Sequence, residues 1–206
     1  MSNNAVALAI TGASGANYAL VLLERLLEAG ETVYLMISPA GRLVLEQEVD
    51  LRLPSRPAEI QSLLLERVGT VPGTLQVFGR EDWNAPIASG SNPPRAMVVC
   101  PCTAGTLAAV AAGQSRSLIE RAADVVLKER RLLILVPRET PYSVIHLENM
   151  LRLARAGALI LPANPGFYHR PTTVEGVVDF VVGRILDHLN VSHELGPRWG
   201  GESSDD

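Results

Sequence analysis

Lysine and cysteine are nearly missing from this 206-residue chain. Lys128 is the only lysine among 18 basic residues, so arginine carries the positive charge everywhere else. Cys100 and Cys102 stand one residue apart in Cys-Pro-Cys, a spacing that suits neither a mutual bridge nor, without further ligands nearby, a structural zinc. Both are read as reduced thiols, at least one of them buried. No apolar run reaches the roughly 18 to 20 residues of a membrane-spanning helix. The first apolar stretch, Ala5 to Ile10, has neither basic residues before it nor the length of a signal peptide, so the expected location is the cytoplasm and not a membrane. Basic clusters are lacking too. The balance of 18 Lys+Arg against 22 Asp+Glu gives −4, which speaks against nucleic acid, whose phosphates need Lys and Arg gathered on one face. His146, His169, His188 and His193 form no H-E-x-x-H, and no serine sits in G-x-S-x-G. Metal catalysis and a hydrolase triad therefore have no starting point.

Apolar material is plentiful. Hydrophobic residues make up 47% and charged residues 19%, enough for a large core in one ordinary domain of residues 1–206, with a polar tail from about residue 200. Short aliphatic runs alternate with segments of helical period, the pattern of an α/β fold whose parallel sheet is covered by helices on both faces. The expected strands are Ala5 to Ile10, Thr32 to Ser38, Ala96 to Cys100, Leu132 to Val136 and Ala158 to Leu161. Tyr18, Leu22, Leu26 and Leu27 share a helical face between the first two, with Gly30 as the stop. Further helices are expected from Pro39 to about Glu48, from Pro57 to Val68, and after the caps Ser117, Ser143 and Thr173. Residues 79–94 read as a long loop.

In an open α/β sheet, ligands gather where strands end and helices begin, because the free N–H groups of helix N-termini favour anions. Thr11-Gly-Ala-Ser-Gly15 is the first such junction, with glycines that admit a phosphate and a hydroxyl on Ser14. It is neither a Walker loop nor a G-x-G-x-x-G turn, and a tight turn without ligand is the plain alternative. Pro101-Cys-Thr-Ala-Gly-Thr106 is the second, opening a small-residue helix over Leu107 to Ala112. Two such turns point to one sizeable phosphorylated ligand. The third, Pro137-Arg-Glu-Thr-Pro141, sets Arg138 beside Glu139, as an ion pair or as ligand contacts. On the helix after Ser117, Arg121, Asp124 and Lys128 fall at i, i+3 and i+7, a polar stripe that is either a solvated face or the wall of a cationic pocket.

These segments, with Ala88-Ser-Gly-Ser91, Arg121-Ala-Ala-Asp-Val-Val-Leu-Lys-Glu-Arg130, Pro165-Gly-Phe-Tyr-His169 and Pro197-Arg-Trp199, resemble the UbiX-type flavin prenyltransferases from residue 5 to about 200. The resemblance implies a Rossmann-like, flavodoxin-like homo-oligomer, commonly a dodecamer, that binds FMN and dimethylallyl phosphate and needs no metal. Reduced FMN would take the prenyl group on N5 and C6, giving prenylated FMN for a UbiD-type decarboxylase, including those of ubiquinone synthesis. Gly12, Ala13, Ser14, Ser38, Thr103, Ala104, Gly105, Thr106 and Arg138 match FMN contacts of the family. Ser89, Gly90, Arg121, Lys128, Tyr168 and Arg184 match the prenyl-phosphate side. Ser14, Glu48, Lys128 and Glu139 match the catalytic positions, the two glutamates as proton-transfer groups. Many relatives carry Ser and Lys or Asn in the turn after Pro-Cys; here it is Thr103-Ala-Gly-Thr106, which leaves backbone N–H donation as its contribution. Two other readings stay open: an FMN-dependent decarboxylase of an aromatic acid or cysteinyl substrate, though P-x-M-N-x-x-M-W is absent, and a flavin carrier without catalysis. Arg184 lies roughly 16 Å along its helix from the end nearest Tyr168, at 1.5 Å per residue, so a site shared between chains is expected.

Overall fold

The computed structural model describes residues 4–196, and Pro197-Arg-Trp199 and the tail from about residue 200 lie outside the described residues. The chain runs β1 (Val6–Ile10), α1 (Ala16–Glu28), β2 (Thr32–Ile37), α2 (Pro39–Val49), α3 (Pro57–Val68), β3 (Thr74–Phe78), β4 (Ala96–Cys102), α4 (Ala104–Ala111), α5 (Leu118–Lys128), β5 (Leu132–Pro137), α6 (Val144–Arg155), β6 (Leu159–Ile160) and α7 (Val174–Leu189). One six-stranded sheet results, ordered β3-β2-β1-β4-β5-β6, with every pairing parallel. β1 and β4 are buried along their whole length, which is why they read as unbroken apolar runs and not as alternating ones.

Helices α1 and α7 cover one face together with α2 and α3, sharing a core with Val98, Cys100, Ile134 and Val136. Helices α4, α5 and α6 cover the other, against Ala9, Met97, Val99 and Leu135. On α1, Leu22, Leu23, Leu26 and Leu27 are fully buried, each worth about 1.5–3 kcal/mol of transfer from water. Both cysteines are free and buried, and burial pushes their thiols up, Cys102 to about 12, so they stay protonated core residues.

Three differences from the sequence reading go beyond one residue at an element's end. Thr74–Phe78 is an unexpected edge strand, paired with β2 and alternating exposed and buried side chains up to Val77. β4 continues past Cys100 through Pro101 to Cys102, where it meets Pro137. In consequence α4 begins at Ala104, three residues earlier than the apolar run indicates. The loop of residues 79–94 holds a short 3-10 turn, Pro86–Ala88, packed on α5.

Candidate functional site

The strand order reverses between β1 and β4, and there the carboxyl ends of the strands open a crevice. A cavity of about 420 Å³ occupies it, lined by Gly12 after β1, Ser38 after β2, Arg80 after β3 and Thr103, Gly105 and Thr106 after β4. A Cβ on Gly12 would overlap that of Ala40, so only glycine lets the first turn meet the start of α2. Thr11 clamps the two turns together: its hydroxyl donates to the Pro101 carbonyl at 2.6 Å and accepts from the Thr103 N–H at 2.9 Å. Ser38 and Thr103 are the N-caps of α2 and α4, accepting from the N–H groups of Gly41 and Thr106, each at 3.0 Å. The Thr103 hydroxyl donates to Thr106 at 2.9 Å, so Thr103 shapes the turn and Thr106 carries its free donor toward the cavity. The early amides of each helix, Ala40 on α2 and Ala104 and Gly105 on α4, have no intrahelical acceptor and favour an anion. Arg116, Ser117 and Glu120 close the far wall. Reading for strand-end turns missed them, because they come from the start of α5.

The N-terminus of α1 is arranged differently from those of α2 and α4. Its free donors are already filled: the Glu48 carboxylate accepts from the N–H groups of Gly15 at 2.9 Å and Ala16 at 2.8 Å. The N–H groups of Gly15 and Ala16 at the head of α1 are therefore already engaged by a carboxylate, unlike the early amides of α2 and α4. Burial pushes the Glu48 carboxyl up, yet hydrogen bonds from Ser14, Ala16 and Gly15 and the charge of Arg138 outweigh it and hold the pKa below the ordinary value. Arg138 donates from Nε to the Ser14 carbonyl at 3.2 Å, while Glu139 accepts from Thr140 N–H at 3.3 Å. Among the described residues Arg138 and Glu139 form no ion pair, so the charged turn after β5 is aimed elsewhere. Tyr18 and Tyr142 flank Arg138; burial raises both phenols. Neither tyrosine was legible as a site residue, since each sits on a helical or loop pattern that core packing explains equally well.

The remaining residues gather elsewhere. Arg121 donates from Nε to the Ala88 carbonyl at 2.9 Å and pairs with Asp124 at 3.0 Å, drawing the Ser89–Gly90 turn onto α5. The Lys128 ammonium, paired with Glu129, lies where a side chain on residue 90 would have to go. The polar stripe thus faces a turn and not open solvent alone. Lys128 sits toward the opposite end of the sheet from Ser14 and Arg138, since only residues 129–131 separate it from the start of β5, whereas Arg121, in the first turn of α5, follows the cavity-lining Glu120. Tyr168 packs edge-on against Phe180 of α7, with ring centroids 5.9 Å apart. Phe180 is four residues before Arg184, about 6 Å along the helix, so the loop does fold back and the two family-matched residues are neighbours in one chain. They belong to the α1/α7 face, across the sheet from α5.

Among the described residues, no three His, Cys, Asp or Glu gather as a metal site. No described helix is long and apolar enough to cross a membrane.

The profile of the Flavoprotein family matches residues 1–186. A flavin prenyltransferase UbiX of Pseudomonas aeruginosa is 56% identical over 195 residues, which cover 95% of this chain and 93% of that protein. The chain belongs to the UbiX family. Of the solved UbiX structures, AnUbiX in complex with FMN and dimethylallyl pyrophosphate superposes with a TM-score of 0.86 at 37% identity, covering 98% of this chain and 100% of that one. A dodecameric FMN-dependent UbiX-like decarboxylase from Escherichia coli O157:H7 gives 0.83 at 38% identity, covering 95% and 99%.

Proposed function

We propose that this protein is a metal-independent flavin prenyltransferase that joins a dimethylallyl group to N5 and C6 of reduced FMN, with release of phosphate. The observation that carries this reading is the cavity at the sheet's switch point, where hydroxyls and helix amides of the α2 and α4 turns stand ready for a phosphorylated ligand while Ser14, Glu48 and Arg138 form a second polar group beside it. The residues present fit FMN. Gly12 keeps the turn open, Ser38, Ala104, Gly105 and Thr106 offer donors to its phosphate, and Arg138 offers charge near its ring.

Bound reduced flavin supplies the electron-rich nitrogen and carbon that take the prenyl group. The chain's own residues do the rest. As the allylic C–O bond breaks, its electron pair goes to the phosphate, where Arg121, Lys128 and Arg184 neutralise the charge and the Tyr168 hydroxyl donates a hydrogen bond. Glu48, held as a carboxylate, would accept through the Ser14 hydroxyl the proton the flavin loses as each bond forms, and ring closure onto C6 also returns one proton to the prenyl double bond, so that the second bond forms with no net gain or loss of protons. Glu139, exposed at the same edge, is the alternative acceptor. The cations belong to different faces and ends of the sheet, which supports a homo-oligomer whose sites draw on several chains, as in a dodecamer. Val144, Ile145, Leu147 and Leu151 leave an exposed apolar stripe on α6, with Phe167 and Tyr168 also exposed, the kind of surface a subunit contact covers. The product would serve a UbiD-type decarboxylase in the cytoplasm.

Anaerobic incubation with reduced FMN and either dimethylallyl phosphate or its pyrophosphate, in EDTA, should yield a flavin heavier by one five-carbon prenyl unit. Unchanged flavin under both donors would refute the reading. The UbiX-like decarboxylase name of one relative motivates a second assay with an aromatic acid and FMN, in which carbon dioxide release without prenylation would favour direct decarboxylation.

A further inference from the structure

We propose that Asp187, anchored from behind by His193, is a positioning residue that aims Arg184 at the prenyl phosphate; this rests on the proposed role of Arg184. The pair of Arg184 Nη1 and Asp187 Oδ2 is 2.7 Å long, at i, i+3 on α7. Alone it would be an ordinary surface pair of little consequence, since Arg184 is 52% exposed. The other carboxylate oxygen sets it apart: Asp187 Oδ1 meets Nε2 of His193 at 3.2 Å, and the His193 side chain is only 8% exposed.

The backbone assigns the imidazole's proton. Leu195 N–H donates to His193 Nδ1 at 3.1 Å, so Nδ1 is an acceptor and the neutral ring carries its hydrogen on Nε2, where it donates to Asp187. Asp187 is thereby held through Oδ1 while Oδ2 meets Arg184, and its rotation is locked from behind. The fold makes room for this device. Asn190 in the left-handed conformation ends α7, the Val191 N–H returns to the Leu186 carbonyl, and residues 191–195 run back along the helix. They pass over Gly183, where an added Cβ would lie 3.1 Å from His193 Cε1 and 3.2 Å from the Leu195 carbonyl. A mid-helix glycine beside Arg184 costs about 1 kcal/mol of helix propensity, and close approach of this strap is what it provides. Only Nη1 of the guanidinium is taken by a described residue, which leaves the Nε and Nη2 edge for a phosphate.

The test compares steady-state prenyl transfer, with dimethylallyl phosphate varied, in the full chain and in Arg184→Ala, Asp187→Asn, His193→Leu and His193→Gln, alongside FMN affinity. Asp187→Asn and His193→Leu should each raise KM for the prenyl donor roughly tenfold, the weight of one misdirected charge-assisted hydrogen bond, with FMN affinity unchanged. His193→Gln, whose amide can donate as Nε2 does, should recover most of that loss. A raised KM in Arg184→Ala with parental KM in Asp187→Asn would overturn the positioning role. Parental KM in Arg184→Ala would overturn the reading of Arg184 itself. Parallel loss of FMN binding in Asp187→Asn and His193→Leu would reduce the strap to a structural element.

Discussion

The carboxyl end of the sheet is nearly complete within one chain, and the amino end is not. At the carboxyl end, Thr11 ties two turns, Ser38 and Thr103 cap two helices, and Glu48 reaches across 33 positions to the turn after β1. Thr11, Ser38, Glu48 and Thr103 each have a partner there that orients them. At the amino end, Lys128 has Glu129 and a glycine turn for company, and Arg184 lies on the far face with Tyr168 and Asp187. On the proposed reading, cofactor capture would be built locally, whereas neutralising a departing phosphate would need charge that one chain holds in separated places. A rotation that places one chain's amino end against another's carboxyl end would unite them.

The largest expected effect separates the two ends directly. Lys128→Ala should slow prenyl transfer at a cost of about 2.7–4 kcal/mol of barrier, the usual toll of removing one donor to developing charge, while FMN titration stays parental. Equal losses in both measurements would make Lys128 a cofactor ligand or a fold requirement, and the contrast between ends would fail. Gly12→Ala probes the other side. Its new Cβ must push α2 away, an overpacking cost of about 1–3 kcal/mol visible in thermal melts, and FMN affinity should fall with it.

The smallest effect concerns Glu48. Its carboxyl titrates lower in the folded protein than in the unfolded chain, so its contribution to stability is fully present above the ordinary carboxylate range and is lost as pH falls through the folded value. Melting curves of the parent and Glu48→Gln should therefore differ near neutral pH and converge in acid. A gap that persists in acid would mean the glutamate acts by packing and not by charge.

Sequence alone made the parallel sheet legible because strands buried on both faces read as plain apolar runs, as in Val6–Ile10 and Leu132–Pro137. The caps Ser117, Ser143 and Thr173 were legible for the same local reason, each accepting from the N–H three residues on. Thr74–Phe78 was not, since an edge strand between Gly73 and Gly79 shows only five residues of alternation. Proline hid the last turn of β4, because Pro101 ordinarily stops a strand. For the site, the turns and Arg138 could be found from strand ends. The Glu48 contact to the head of α1 could not, because nothing local pairs residues 15 and 48. Nor could spacing show that Tyr168 folds back onto α7, which depends on its ring meeting Phe180.

The central claim is that one catalytic site takes its carboxyl-end residues and its amino-end cation from different chains. Co-refolding inactive Arg138→Ala with inactive Lys128→Ala tests it most directly, with subunit exchange verified by mass. Mixed oligomers should regain part of the prenyl-transfer activity, because some sites then receive Arg138 from one chain and Lys128 from another. Full subunit exchange with no recovered activity would place both residues in the same chain's site and contradict the account.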